Sequence, residues 1–199
     1  MKRRDLLKGA VGTVVLGAGV APQVFAQAKT DGTPLQFIPK APKDPNPLEN
    51  ELQKYPKCPY CGMDRTEWNH SRHLVHYDDD LVDGTCSLHC AALSLSLNID
   101  RGPKAIYAAD YGSGEKIKPL VNVDKAYYVI GSKLKGTMTA RSKVAFANEN
   151  AAKTARREHG GKLGRFDEAL AAAHEDMAKD TTMIRKRRAE KRAKQQKAG

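Results

Sequence analysis

The sequence predicts an α+β fold made of two small consecutive ββαβ-type units, the first treble-clef-like, followed by C-terminal helices. Two observations predict it. Short strand-like runs are followed by a helical pattern of apolar residues in two successive segments. In addition, all four cysteines lie within residues 58–90, first in a turn and then at the start of a helix, which is the layout of a metal finger.

Residues 1–28 have the order of features typical of a twin-arginine signal peptide. The segment KRRDLLK at residues 2–8 precedes a mildly apolar run over residues 9–25, and Ala-Gln-Ala at residues 26–28 fits a cleavage site. The protein is therefore predicted to be periplasmic or otherwise extracytoplasmic, with no stable membrane span after cleavage. No cysteine precedes Cys58, so we expect no lipid anchor.

A proline-rich linker is predicted over residues 29–53. Six prolines lie among polar residues between positions 29 and 56, and proline removes backbone donors and fixes φ. We expect a tether or a strap along the surface. The folded domain is then expected over residues 54–170, with units at about 54–103 and 104–165.

The first unit contains a predicted hairpin and helix. Strand-like residues 73–77 and 81–82 flank an Asp-rich turn, which indicates two strands. Residues 86–98 carry apolar side chains at helical spacing, with Thr85 as the predicted N-cap and Gly102 beyond the end.

The second unit is predicted to hold strands at residues 105–109, 126–130 and 144–146, then a helix over 148–159 that Gly160 ends. Residues 166–179 form a further predicted helix.

A basic helical tail is predicted over residues 171–199. The formal charge of the chain is +11, of which residues 1–8 hold +3 and residues 184–199 hold +7. The body is thus nearly neutral, which argues against a nucleic-acid-binding face. We interpret the tail as a solvated end, with binding to acidic lipid or nucleic acid as the alternative.

The cysteine spacing indicates one metal site. Cys58 and Cys61 lie in a turn that contains proline and glycine, where two thiolates can converge on an ion. Cys86 and Cys90 are four residues apart in the predicted helix, so both sulfurs are expected on one face. Thiols near a helix N-terminus also ionise more easily.

Three interpretations of the cysteine block stay open. A closed Cys₄ Zn²⁺ site would stabilise a small domain, and two disulfides would suit an exported protein. The third is a Cu(I) site, because thiolate and thioether ligands favour that ion. Met63, directly after the Cys61-Gly62 pair, favours copper, since a structural zinc site has no use for a thioether.

Five segments together resemble the NosL family of accessory proteins of nitrous oxide reductase. The resemblance covers residues 56–170 and depends on the segments CPYCGMD, DGTCSLHC, KAYYVIGSKLKGTMT, KVAFANENAAKTARREHGG and FDEAL. It implies an exported Cu(I)-binding protein that supplies copper to the reductase and consists of two similar α+β units.

The resemblance also implies metal ligands. Cys61 and Met63 match the family's Cys-Gly-Met segment, and Met138 matches its second methionine segment. The chain differs in its extra cysteines Cys58, Cys86 and Cys90, which resemble the heavy-metal-trafficking (TRASH) finger, and in its twin-arginine signal. Copper could therefore occupy the cysteine cluster, a Cys/Met site, or both.

Histidines are further candidate ligands. His70, His73 and His76 are three residues apart, so a strand cannot direct all three to one ion, and His70 and His76 are favoured. His89, between Cys86 and Cys90, is a candidate fourth ligand if one thiol is free.

Two functional hypotheses follow. A copper carrier would take up about one Cu(I) and deliver it to a periplasmic enzyme, whereas a zinc- or disulfide-stabilised module would serve structure or interaction. An enzyme is not expected, because the sequence has no Ser/His/Asp grouping and no phosphate-binding glycine loop.

Overall fold

The computed structural model describes residue 39 and residues 41–198. The predicted signal peptide and the first part of the predicted linker lie outside the described residues. The elements are, in chain order, α1 (Glu51–Lys54), β1 (His73–Tyr77), β2 (Val82–Thr85), α2 (Leu88–Leu97), β3 (Pro103–Ala109), β4 (Leu120–Asn122), β5 (Tyr127–Ile130), β6 (Lys143–Phe146), α3 (Glu149–His159), β7 (Lys162–Gly164) and α4 (Phe166–Ala198).

The first sheet is antiparallel and has the strand order β2-β1-β3-β4. His73 in the central strand pairs with Thr85 of β2 and with Ala108 of β3. The chain therefore runs β1-β2-α2-β3 as a ββαβ unit. The sequence predicted that residues 105–109 belong to the second unit. They pair with β1 and therefore belong to the first unit, so this prediction is wrong. Strand pairing depends on residues distant in sequence, which the local pattern does not show.

The second sheet repeats this arrangement. Its strand order is β6-β5-β7, again antiparallel, with α3 between β6 and β7 in the chain. The predicted α+β class with two ββαβ-type units is confirmed. The strands β4 and β7 were not predicted, because each has three residues and neither is fully buried.

Both sheets contribute to one hydrophobic core with α2 and α4. Its largest fully buried side chains include Tyr77 of β1 and Tyr128 of β5. Phe166 and Ala173 cover this core from α4. The predicted C-terminal helices are one continuous helix of 33 residues. None of the helices in the described part of the chain combines the length and the apolar character needed to cross a bilayer.

The two interior helices begin at different signals. Helix α3 starts after Asn148, whose side chain accepts hydrogen bonds from Asn150 N and Ala151 N. Gly160 follows the last residue with φ 74°, as predicted. Helix α2 begins after Ser87, so the predicted N-cap at Thr85 is wrong, because Thr85 still pairs in β2.

Part of the predicted linker packs against the first unit. The Asp44 backbone N–H donates to Asp80 O over 2.7 Å, at the turn of the β1–β2 hairpin. The Asp44 carboxylate accepts from Tyr55 OH at 2.7 Å and from Lys54 Nζ at 2.6 Å. This segment thus lies along the hairpin as a strap.

Arg65 is the largest fully buried side chain. It donates to Tyr55 O at 2.6 Å, to His73 O at 3.2 Å and to Thr85 O at 3.2 Å. It also forms an ion pair with the Glu51 carboxylate at 2.8 Å, which the buried Arg72 shares at 2.7 Å. A buried guanidinium with these partners fixes the segment before the knuckle, β1 and β2 to one another.

Gly84 leaves the room that Arg65 needs. A Cβ at Gly84 would lie 2.6 Å from Tyr55 Cβ and 2.8 Å from Arg65 Cζ. We expect Gly84→Ala to lower the free energy of unfolding by about 2 kcal/mol, because neither neighbour can move without breaking the network. Urea unfolding of the metal-free protein measures it. Gly114→Ala is the control, since nothing lies within 4 Å of its Cβ; equal stability of both variants would contradict the prediction.

His73 makes stability depend on pH. It is buried between Ser71 O at 2.9 Å and Tyr128 OH at 3.1 Å, and burial lowers the pKa of His73 to about 4. In the unfolded chain, His73 binds a proton near pH 6.5. We therefore expect the free energy of unfolding to be unaffected by His73 above pH 6.5 and to fall by about 3 kcal/mol as the pH drops to 4. Unfolding across this window should be less pH-dependent in His73→Gln. The exposed His174→Gln variant should keep the wild-type slope, and parallel curves for all three proteins would refute the assignment.

Candidate metal centre

The first two cysteines lie in a tight turn, which we call the knuckle (residues 58–63). Cys58 N donates to Met63 O and Gly62 N donates to Cys58 O, each over 2.9 Å. Gly62 has φ 75°, a conformation that glycine adopts without strain. The residues flanking the knuckle, Lys57 and Asp64, form an antiparallel bridge. The turn therefore closes on itself and directs its sulfur atoms to one side.

The second pair of cysteines lies at the junction of β2 and α2. Cys86 precedes the N-cap Ser87, whose backbone is extended, so only Cys90 lies within the helix. The expectation that both cysteines are helical is wrong in this respect. The two Sγ atoms are nevertheless 3.8 Å apart, because the extended Ser87 turns the chain so that Cys86 faces the first helical turn.

The four thiols form one cluster, as the spacing predicted. All four Sγ atoms lie within 4.8 Å of one another, and all four cysteines are free. Cys61 Sγ is 3.4 Å from Cys86 Sγ and 3.7 Å from Cys90 Sγ. In a tetrahedral site with metal–sulfur bonds of about 2.3 Å, sulfur atoms are about 3.8 Å apart. The cluster therefore has the dimensions of a thiolate metal site.

Met63 adds a fifth sulfur to this cluster. Its Sδ is 3.9 Å from Cys86 Sγ, and its side chain packs against Cys58, Cys86 and Cys90. The thioether thus faces the thiols and not the hydrophobic core. A set of thiolates with an adjacent thioether is chemically soft, which favours polarizable cations.

Met138, the predicted second methionine ligand, lies at the surface of the protein. Its side chain is 43% exposed, and its φ is 60°. The preceding residue connects the loop to the site, since Thr137 Oγ1 is 2.7 Å from Ser71 Oγ, which donates to Cys86 O at 2.8 Å. Met138 therefore lies on a loop that is tied to the cysteine cluster by way of Ser71.

The thiols of Cys58, Cys86 and Cys90 differ in pKa. The neighbouring thiols of Cys86 and Cys90 stabilise the Cys58 thiolate and hold the pKa of Cys58 well below its ordinary value. That thiolate raises the pKa of Cys86 to about 12 and raises the pKa of Cys90 further. A bound metal would replace the protons of the thiols that coordinate it.

Asp83 holds the knuckle against the hairpin and α2. Its buried carboxylate accepts from Tyr60 OH and from Ser94 Oγ, each at 2.6 Å. Burial raises the pKa of Asp83. Sequence analysis did not assign Asp83 a role, although it stands in the DGTC segment three residues before Cys86.

Trp68 is a second residue that the sequence analysis did not identify. Its partly buried ring packs against the cluster of Cys58, Cys86 and Cys90. Lys135 Nζ lies 4.6 Å above its ring centroid. Trp68 is the one tryptophan in the sequence and lies between the two cysteine pairs, and this position could have identified it.

The candidate histidine ligands differ in their burial and in their hydrogen-bond partners. His73 is buried away from solvent, and His76 Nε2 is 2.9 Å from Asp80 Oδ1. His70 is half-buried with Nε2 3.4 Å from Thr137 Oγ1. His89 is half-buried in the first turn of α2, where burial lowers its pKa. In the described part of the chain, the cluster of candidate metal ligands contains cysteines and no histidine.

Comparisons with known proteins identify similar sequences. Residues 49–173 match the family model described as NosL. A protein of Stutzerimonas stutzeri named copper-binding lipoprotein NosL is 42% identical over 67 residues. That alignment covers 32% of this chain and 35% of the relative, so the chain matches about a third of the relative's length. The crystal structure of the copper chaperone NosL from Shewanella denitrificans is 26% identical, with a TM-score of 0.49 over 64% of this chain and 96% of that one.

The exposure of the thiols predicts their order of reaction. Cys61 is half-buried, whereas Cys58, Cys86 and Cys90 are buried. We expect a limiting amount of iodoacetamide to label Cys61 first in the metal-free reduced protein, because alkylation requires access to the sulfur. Peptide mass spectrometry locates the label, and Cys61→Ser should remove the fast phase. Faster labelling of Cys86 or Cys90 would show that the cluster opens from another side.

Proposed function

The chain belongs to the NosL family, and from this premise we propose that it is an extracytoplasmic copper carrier. It holds Cu(I) and delivers it to a periplasmic copper enzyme, nitrous oxide reductase. The observation that carries the proposal is the convergence of four thiols and the Met63 thioether. The names of its relatives support it, since one is described as copper-binding and the other as a copper chaperone.

The ligand chemistry favours Cu(I) over harder cations. Thiolate and thioether sulfurs are the donors that Cu(I) prefers in proteins. Cys58, Cys61, Cys86 and Cys90 supply thiolates, and Met63 supplies a neutral sulfur 3.9 Å from Cys86 Sγ. Cu(I) needs only two or three of these sulfurs, so the cluster offers alternative ligand sets between which the ion can move.

Metal transfer requires one side of the site to be open. The half-exposed Cys61 and Met63 form that side, while the other three thiols are buried. A thiolate or imidazole of the recipient would bind the ion there first. Cys61 would then dissociate and the ion would leave with the recipient's ligands. We include the exposed Met138 in the ligand set as a thioether available to the ion in transit.

A structural zinc module is the alternative, and one observation favours it. The sulfur separations of 3.4–3.8 Å between Cys61, Cys86 and Cys90 also suit tetrahedral Zn²⁺. In that case the metal would stabilise the fold and Met63 would make no bond to it. We propose a carrier and not an enzyme. We also propose export by the twin-arginine route and a folded domain over residues 54–170, with residues 103–109 in its first unit.

The effect of removing the Met63 thioether distinguishes the copper carrier from the structural zinc module. Anaerobic competition with a chromophoric Cu(I) chelator should show one tightly bound Cu(I) per chain. We expect Cys61→Ser to weaken binding by more than about a hundredfold and Met63→Leu by about tenfold, because each change removes a soft ligand. Met138→Leu should weaken it less. Met183→Leu, a change at an exposed methionine of α4, is the control.

The opposite result would identify the structural module. Preference for Zn²⁺ over Cu(I), unfolding on addition of a zinc chelator, and an unaltered affinity in Met63→Leu would contradict the carrier. Incubation of the Cu(I)-loaded protein with copper-free nitrous oxide reductase then tests the recipient: copper should pass to the reductase, and a protein that retains its copper would exclude this recipient.

A further inference from the structure

Helix α4 continues beyond the body of the protein. Its first part packs on the core through Phe166, Ala169 and Ala173, and Lys179 is the last residue whose side chain makes an ion pair within the described chain. Every side chain from residue 181 to residue 196 is exposed. At 1.5 Å per residue, the segment from 181 to the end of the helix is about 27 Å long.

This exposed part of α4 is strongly cationic. We call residues 184–198 the basic segment; it contains eight Lys or Arg and one Glu. Successive residues are rotated by 100° around a helix, so the cations lie on all its sides. Arg187 and Lys191, and likewise Arg188 and Arg192, are like charges four residues apart and repel each other. A helix that lacks tertiary packing is marginal in water, so a negatively charged partner would stabilise it.

We propose that the basic segment is a docking surface for an anionic phospholipid bilayer. The phosphate headgroups supply the complementary charge, and clusters of four to eight Lys or Arg are sufficient for such attraction. Cations on all sides of the helix suit a partner that responds to charge density, whereas a protein partner is usually recognised by one face. The inference uses the proposed function only in placing the protein outside the cytoplasm, where bilayers and not nucleic acids are the abundant polyanions.

The basic segment begins at the end of the molecule that holds the cysteine cluster. Asp176 of α4 accepts a hydrogen bond from Thr139 Oγ1 at 3.3 Å, and Thr137 on the same loop lies 2.7 Å from Ser71 Oγ beside the cluster. The helix therefore passes the loop that is tied to the cysteine cluster about two turns before the basic segment starts. Docking of the segment would keep the metal centre close to the membrane surface.

Vesicle co-sedimentation of the full chain tests the proposal. The probes are vesicles of phosphatidylcholine with about one third phosphatidylglycerol, and vesicles of phosphatidylcholine alone. The test variant changes Arg187, Arg188, Lys191 and Arg192 to Gln, which keeps a good helix former at each position. The control variant makes the same change at four exposed cations of the body, Lys125, Lys133, Arg156 and Arg157, so both variants lose the same charge.

We expect wild type and control to bind the anionic vesicles and the test variant to bind at least about a hundredfold more weakly, since each surface cation contributes about fivefold. Binding should also decline at about 0.5 M salt. Equal binding of the anionic vesicles by the test and control variants would overturn the proposal. Binding of an acidic protein through the basic segment, at a salt concentration that releases the vesicles, would also overturn it. Cu(I) affinity should be the same in all three proteins, so a failure of the copper proposal appears separately.

Discussion

The buried guanidinium of Arg65 is the constraint on which the candidate metal centre depends. Its carbonyl partners include those of Tyr55, His73 and Thr85, of which Thr85 directly precedes the cysteine Cys86. One side chain thus fixes the chain entering the knuckle and the strand that leads to the second cysteine pair. A buried charge is stable only with partners, and Glu51, brought by the short helix α1, supplies the opposite charge. This network, together with the Asp83 hydrogen bonds, fixes the separation of the two cysteine pairs.

The surroundings of the sulfur atoms suit an ion that is held and then released. Asp83 and Ser94 secure the knuckle, and Trp68 packs against the cluster. These contacts position the sulfur atoms, while the half-buried Cys61 leaves a direction of approach for an incoming ligand.

The two ββαβ units share a topology but not a site. In the first unit, the junction between the hairpin and its helix carries Cys86 and Cys90, whereas the equivalent junction of the second unit carries the helix cap Asn148. The second unit instead supplies structural support: Tyr128 bonds the buried His73, and Thr137 contacts Ser71 beside the cluster. The repeated fold is therefore a scaffold on which the first copy carries the cysteine cluster and the second copy supports it.

The sequence by itself determined the features that local chemistry decides. Strand β1 followed from the strand-like run before the Asp-rich turn, the end of α3 followed from Gly160, and the cysteine spacing predicted one cluster. Only the tertiary structure decided the sheet to which β3 belongs, the position of Cys86 outside the helix and the burial of Arg65. The physical reason is that strand pairing and charge burial take their energy from residues distant along the chain. The spacing of the cysteines shows that sulfur atoms can meet, whereas the direction of Met63 depends on packing between the knuckle and α2.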